Sequence, residues 1–521
     1  MSESRTHKSI RNAQVTLFFS VITILISFFS RKYFLASFDS EVMGLRTVLG
    51  NFLGMLNLSE LGIGTSIAVA LYKPLNDRNY QSVNEIVSLQ GWLYRWVVGF
   101  IVFGSVVLML FFPQMFANMQ APLWYAYVTY GFLLFSTILS YTINYKTIVL
   151  SADQKGYKTG AIMSTATIAK NFIQLLILYF LEDAYLLWIS MDLALSILGV
   201  YVLDRVTVRE YPWLSVNPSK GRQYLKKYPA LLKQTGLIFF HNLGGYALGN
   251  TTPLVMSLVS GLVMTGDYDN YKNLITHVRT FSEGIFGNLI PGVGNLIAEG
   301  NQEKIYSFFW EVLSFKYFIA GISCFFLYVF ATPFVSLWLG EKYALESSLG
   351  ILLLTLIAYI DFTRGVNNAY INGFALFKDI WAPLVEAGIN VGMSILLGYI
   401  LGWEGVLLGV FISLFTIIVV WKPFYLFRSG FQLPVRLYWL GMTKFPLITW
   451  GLIFLTDAFV DLYQPSMESY TEFFINASWV SILFIVILFG VFYVVSKAFR
   501  AASMRAWQIV AERIPLIKKR Y

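Results

Sequence analysis

Along this chain, long apolar stretches of about 20 residues or more recur between short polar breaks, the length that an α-helix needs to cross a bilayer core. Fourteen such stretches are found. The first six lie near 13–35, 43–72, 85–112, 122–150, 158–181 and 185–205, and the next six near 231–260, 270–298, 306–332, 346–374, 380–401 and 405–426. A last pair falls near 436–456 and 473–497. The pattern predicts an all-α polytopic membrane protein of about 14 transmembrane helices. The connections are too short for a soluble domain, and the longest, near 206–230, carries Pro212, Pro218 and Pro229, which suits a linker.

Composition supports this reading. Of 521 residues, 57% are hydrophobic and 13% charged, far more apolar than a water-soluble chain of this length. The N-terminus, MSESRTHKSIRNAQ, runs into an apolar stretch without a small-residue cleavage site, so a retained first helix is expected. The single cysteine, Cys324, excludes disulfide frameworks and cysteine metal clusters, and three scattered histidines make no metal site; no cofactor is expected. The net charge of +9 is explained by topology. With both termini cytoplasmic, Lys and Arg gather on the cytoplasmic side, as in Lys220, Arg222, Lys226, Lys227 and the tail Lys518, Lys519, Arg520.

The chain also resembles itself at an offset of about 222 to 226 residues. Asn12 falls on Gln234, Pro113 near Pro333, Asn144 on Asn368 and Arg46 on Lys272. This predicts two pseudo-symmetric six-helix lobes, 1–210 and 211–430, around a central cavity, followed by an extra helix pair and basic tail at 431–521. Six helices per copy make the repeat parallel.

Ionisable residues at membrane depth are costly, so each asks for a reason. On the second predicted helix Arg46, Gly50, Leu53, Asn57, Glu60 and Gly64 share one face at 100° per residue. The eighth repeats the design with Lys272, Thr276, Arg279, Glu283 and Gly287, and Pro291 would bend it. Such faces look at another helix or at water, not at lipid. Arg31 and Lys32 end the first helix, where they either snorkel to headgroups or top the cavity. Asp361 and Arg364 stand at i, i+3 with Asn368 and Asn372 beyond, an arrangement equally suited to an internal ion pair. Asp192, Lys170, Arg95, Lys316 and Lys444 are single charges with weaker signals. Cations outnumber acids on these helices, and because an unpaired buried ion is destabilising, the surplus implies an anionic ligand, with phosphate or diphosphate the match to arginine geometry.

The runs SELGIGTSIAVALYKPLNDRNY, TPFVSLWLGEKY and PLVEAGINVGMS resemble polysaccharide flippases, of the O-antigen and capsule type, in the multidrug/oligosaccharidyl-lipid/polysaccharide (MOP) exporter superfamily. The resemblance implies a non-enzymatic carrier in the bacterial cytoplasmic (inner) membrane. It would move a polyprenyl-diphosphate-linked oligosaccharide between leaflets by alternating access, for surface polysaccharide assembly such as lipopolysaccharide, alongside membrane lipid and other assembly proteins. In such proteins basic residues on the second and eighth helices line a cationic cavity, and Arg46, Lys272 and Arg279 occupy comparable positions here. The expected substrate-binding set is Arg46, Lys272, Arg279, Asn57, Arg364, Arg31 and Lys32. Glu60, Glu283 and Asp361 are the candidates to carry a coupling proton or sodium ion. A peptidoglycan-precursor flippase and a multidrug exporter of the same superfamily are the nearer rivals, and a membrane glycan polymerase or ligase a more distant one.

Overall fold

A computed structural model of the chain describes residues 5–60, 62–286, 293–294, 296–297, 299–376 and 378–513. Within these, side chains are described except at 5–17, 20, 230, 232–234, 237–238, 240–249, 281–286, 506 and 508–513. Short turns aside, the first part of the chain forms α1 (Arg5–Leu56), α2 (Ile63–Asn76), α3 (Tyr80–Leu110), α4 (Trp124–Ile143), α5 (Gly156–Phe180), α6 (Tyr185–Glu210) and α7 (Pro229–Phe286). Then follow α8 (Gln302–Phe325), α9 (Ala331–Leu339), α10 (Ser348–Thr363), α11 (Gly365–Gly373), α12 (Trp381–Leu401), α13 (Trp403–Leu414), α14 (Lys444–Tyr463), α15 (Tyr470–Val495) and α16 (Lys497–Arg513).

Among the described residues eleven helices are long and apolar enough to cross a membrane. The difference from fourteen has two sources. The first expected span and most of the second are joined across a break at Asp39 and count once, as Val21–Glu60, and the pair expected at 231–298 runs in part through side chains outside the described set. The other ten expected spans are all present. Polar caps fix several starts: Asn79 accepts from Ser82 N, Asn301 from Lys304 N and Ser469 from Glu472 N, each meeting a backbone donor that the first turn leaves unpaired.

Two compact units make up the chain, residues 1–269 with 383–387, and residues 270–382 with 388–521. In the first, Leu45, Val48 and Leu49 of α1, Val83, Ile86 and Val87 of α3 and Tyr130 of α4 form a closed apolar core. The polypeptide after α6 is no loose tether, because it is laid along α3. Asn84 donates to Trp213 O and accepts from Ser215 N, Ser88 Oγ accepts from Asn217 N, and Lys227 and Tyr228 both donate to Glu85. In the second unit the core is aromatic: Phe309 meets Tyr370, Phe427 and Phe431, and Phe325 of α8 stacks on Phe484 of α15 at 4.0 Å.

Both long helices break once. Asp39 of α1 (φ 64°, ψ 177°) and Gly261 of α7 (φ 82°, ψ 177°) leave helical geometry in the same way, 222 positions apart. Just beyond the breaks, inside the first unit, α1 and α7 touch backbone to backbone. A Cβ on Gly44 would lie 1.9 Å from Leu262 O, and one on Gly266 would lie 2.1 Å from Ser40 O. Gly44 pairs with Gly266, and Ser40 with Leu262, at that same offset of 222, so the contact is reciprocal and a local pseudo-two-fold runs between the glycines. Only residues without a side chain permit this approach. Ser40 Oγ donates to Asp267 Oδ1 at 2.5 Å beside it.

That register revises the reading of the charged faces. At an offset of 222 the counterpart of Arg46 is Tyr268 and that of Arg279 is Asn57, one helical turn from the pairing of Arg46 with Lys272 expected at 226. The face itself is also interrupted. The helix carrying Arg46 ends at Leu56, Asn57–Glu60 form a 3₁₀ turn, and Gly62 takes a left-handed conformation (φ 94°) before α2. Leu53, placed on the polar face by periodicity, is packed in the core, and Gly50 has open space where a Cβ would stand.

Candidate functional site

Four of the cationic residues are held in two clusters, one in each unit. In the first, Arg46 Nη2 of α1 lies 2.8 Å from Asp192 Oδ2 of α6, while Lys170 Nζ of α5 lies 2.6 Å from Oδ1 of the same carboxylate. Asp192 is buried, and the Arg46 guanidinium sits over the Trp188 ring at 4.7 Å. Each oxygen of one acid is therefore taken by a different cation. Burial at this depth needs pairing, and here it is met with positive charge in excess.

The second cluster follows the same rule with different parts. Arg279 Nη1 of α7 lies 2.6 Å from Asp361 Oδ2 of α10, and Arg364 Nη2, one turn after Asp361, lies 2.7 Å from Oδ1. The Arg279 side chain is 38% exposed and that of Asp361 19%.

The remaining expected residues are placed as follows. Arg31 is buried and bonded at 2.5 Å to Asp269 of α7, so it does not snorkel; its neighbour Lys32 is exposed. Lys272 is half-buried on α7, with its carbonyl accepting from Thr276 Oγ1. Asn57 Oδ1 accepts from Tyr141 at 3.4 Å. Glu60 Oε1 accepts from Tyr94 Oη at 2.9 Å and from Gly64 N at 3.2 Å, and no described cation stands within ion-pair distance of it. The Glu283 side chain lies outside the described residues.

Sequence reasoning gave Lys170 and Asp192 little weight and passed over Trp188 and Asp269. The signal for the two charges was their position inside apolar stretches. Their partners were not readable, because Asp192 lies 146 positions from Arg46. A second ion pair it missed, Lys422 with Asp379 at 2.8 Å, is nearly dry; each of its oppositely charged partners balances the other, so it leaves no surplus.

The helical, multi-pass fold is similar to folds seen in solved flippase and transporter structures. It is similar to lipid II flippase MurJ in an inward closed conformation, with a TM-score of 0.61 and 14% identity over 93% of this chain and 99% of that one. An inward-facing multidrug resistance MATE family transporter of the MOP superfamily matches with a TM-score of 0.58 and 13% identity, over 81% of this chain and 99% of that one. A MOP superfamily transporter from Pyrococcus furiosus, described by a reverse polarity of its binding pocket, matches at 0.53 and 12% identity, over 82% and 97% of the two chains. At these identities the likeness is one of fold. No family model matches the chain, and no curated protein matches it.

Proposed function

We propose that this protein is a flippase that carries a polyprenyl-diphosphate-linked oligosaccharide across the cytoplasmic membrane by alternating access, for assembly of a surface polysaccharide. The observation that supports this most is the arrangement of the two clusters: in each, two cations meet one carboxylate, and the Arg279 side chain is 38% exposed. A diphosphate offers these cations several strong acceptor oxygens that match the fork of arginine. In this reading Arg279 and Arg364 engage the diphosphate, Arg46 and Lys272 contribute positive potential, and the isoprenoid tail stays in lipid. A carrier of cationic drugs would need surplus acid instead.

Transfer of a lipid-linked peptidoglycan precursor is the second reading. It is favoured by the wider match to lipid II flippase MurJ, which spans 93% of this chain against 81% for the MATE transporter. For a coupling ion we assign Glu60, which receives two hydrogen bonds and no described cation, ahead of Asp361, whose oxygens are both taken by arginine. The test is translocation by purified protein in liposomes, offering a polyprenyl-diphosphate oligosaccharide and a peptidoglycan precursor under an imposed proton gradient. Transfer of the first, lost in Arg279→Ala and uncoupled from the gradient in Glu60→Gln, is expected. Transfer of the precursor alone would select the second reading, and equal transfer by wild type and Arg279→Ala would end the site assignment.

A further inference from the structure

We infer that α16 is a membrane-surface helix that binds the headgroups of anionic phospholipids. Its place follows from α15, which is apolar to its last residue: Val494 is 74% exposed and Val495 46%, as suits a span facing acyl chains. One extended residue, Ser496, separates the end of α15 from the start of α16 at Lys497. Lys444, which begins α14, donates to Val495 O at 3.5 Å, so the start of α14 and the end of α15 stand level there. A helix that starts one residue after this level starts at the bilayer surface.

One face of α16 is anchored to the second unit. Phe499 is fully buried among Phe315, Phe318, Phe489 and Phe492, and Arg505 reaches the buried carboxylate of Glu311 at 3.3 Å. A different face carries Lys497, Arg500, Met504 and Trp507, which at 100° per residue fall within about 80° of one another. Met504 is 51% exposed and Trp507 60%. Apolar and aromatic groups beside basic ones are what the headgroup boundary accommodates: tryptophan and methionine enter the upper acyl region while the cations meet lipid phosphate. Arg500 also bonds Tyr493 O at 3.2 Å, which fixes its guanidinium at the level of the end of α15. From Lys497 onward the sequence has seven Lys and Arg (Lys497, Arg500, Arg505, Arg513, Lys518, Lys519, Arg520) against the single acid Glu512, a charge complementary to an anionic leaflet.

The only cysteine in the sequence is buried Cys324, so a cysteine placed at Met504 in the full chain labels selectively with a polarity-sensitive thiol probe. Asp77→Cys, in an exposed turn, serves as a water-facing reference. In vesicles of phosphatidylcholine mixed with phosphatidylglycerol, the Met504→Cys probe is expected to shift to the blue and to be quenched by acyl-brominated lipid. Both effects should weaken in pure phosphatidylcholine, in high salt and in Lys497→Ala/Arg500→Ala, with roughly a fivefold loss of lipid affinity per basic residue removed. Retention of phosphatidylglycerol on the detergent-purified protein by native mass spectrometry gives a second reading of the same variants without a label. A probe at position 504 that reports water in both vesicles would overturn the placement, and a shift independent of lipid charge and of both basic residues would overturn the headgroup recognition.

Discussion

Arg46 and Arg279 are each tied to an aspartate that a second cation also holds, yet the two clusters differ in construction. The first spreads its three charges over α1, α5 and α6, closes Trp188 over the arginine and leaves its carboxylate side chain only 10% exposed. The second keeps Asp361 and Arg364 one turn apart and adds Arg279 from α7, with that arginine 38% exposed against 28% for Arg46. Three helices converging on a dry carboxylate make a structural lock. A preformed local pair with one partly exposed arginine added to it is, in the proposed reading, the place where a ligand oxygen replaces a carboxylate oxygen. In the proposed reading the two clusters serve different ends, and burial decides which.

The comparison can be broken most sharply at the lock. Asp192→Asn leaves Arg46 and Lys170 without a counterion in a buried setting, and we expect a loss of about 3–5 kcal/mol, read as a large fall in thermal midpoint in detergent. An unchanged midpoint would remove the distinction between the clusters. Next in size is Arg279→Ala: the protein should stay folded while transfer of the diphosphate-linked glycan falls about tenfold or more, the equivalent of one charge-assisted hydrogen bond of roughly 1.5–3 kcal/mol. Asp361→Asn should cost stability by only about 1 kcal/mol, since its partners are better solvated, and a cost as large as that of Asp192→Asn would show that both clusters are locks. Smallest is Lys170→Met, which leaves the balanced pair of Arg46 with Asp192; we expect less than about 1 kcal/mol either way in the same unfolding assay.

Much of the fold was legible because a bilayer imposes length and hydropathy on every span, and ten of the fourteen expected spans reappear as separate helices. Internal repetition was legible as well, but not its register. Two apolar halves align almost equally well one turn apart, and only the matching breaks at Asp39 and Gly261 and the reciprocal contact of Gly44 with Gly266 distinguish 222 from 226. Periodicity also carried the face of Arg46 through Asn57 to Gly64, across a 3₁₀ turn and a left-handed glycine that end the helix. For the site, sequence could say that charges at depth need partners and could not say which. Asp361 and Arg364 were readable as a pair because they are one turn apart. Asp192 with Arg46, and Asp269 with Arg31, were not, because tertiary packing brings them together from 146 and 238 positions away.

The central claim is that Arg279 serves a diphosphate. Equilibrium binding of a short-chain polyprenyl-diphosphate saccharide to the purified protein, compared with its monophosphate analogue and repeated on Arg279→Ala, tests it most directly. The account predicts that the diphosphate binds more tightly, that affinity falls as salt rises, and that Arg279→Ala removes the preference. Equal affinity for both ligands, unchanged in the variant, would contradict it.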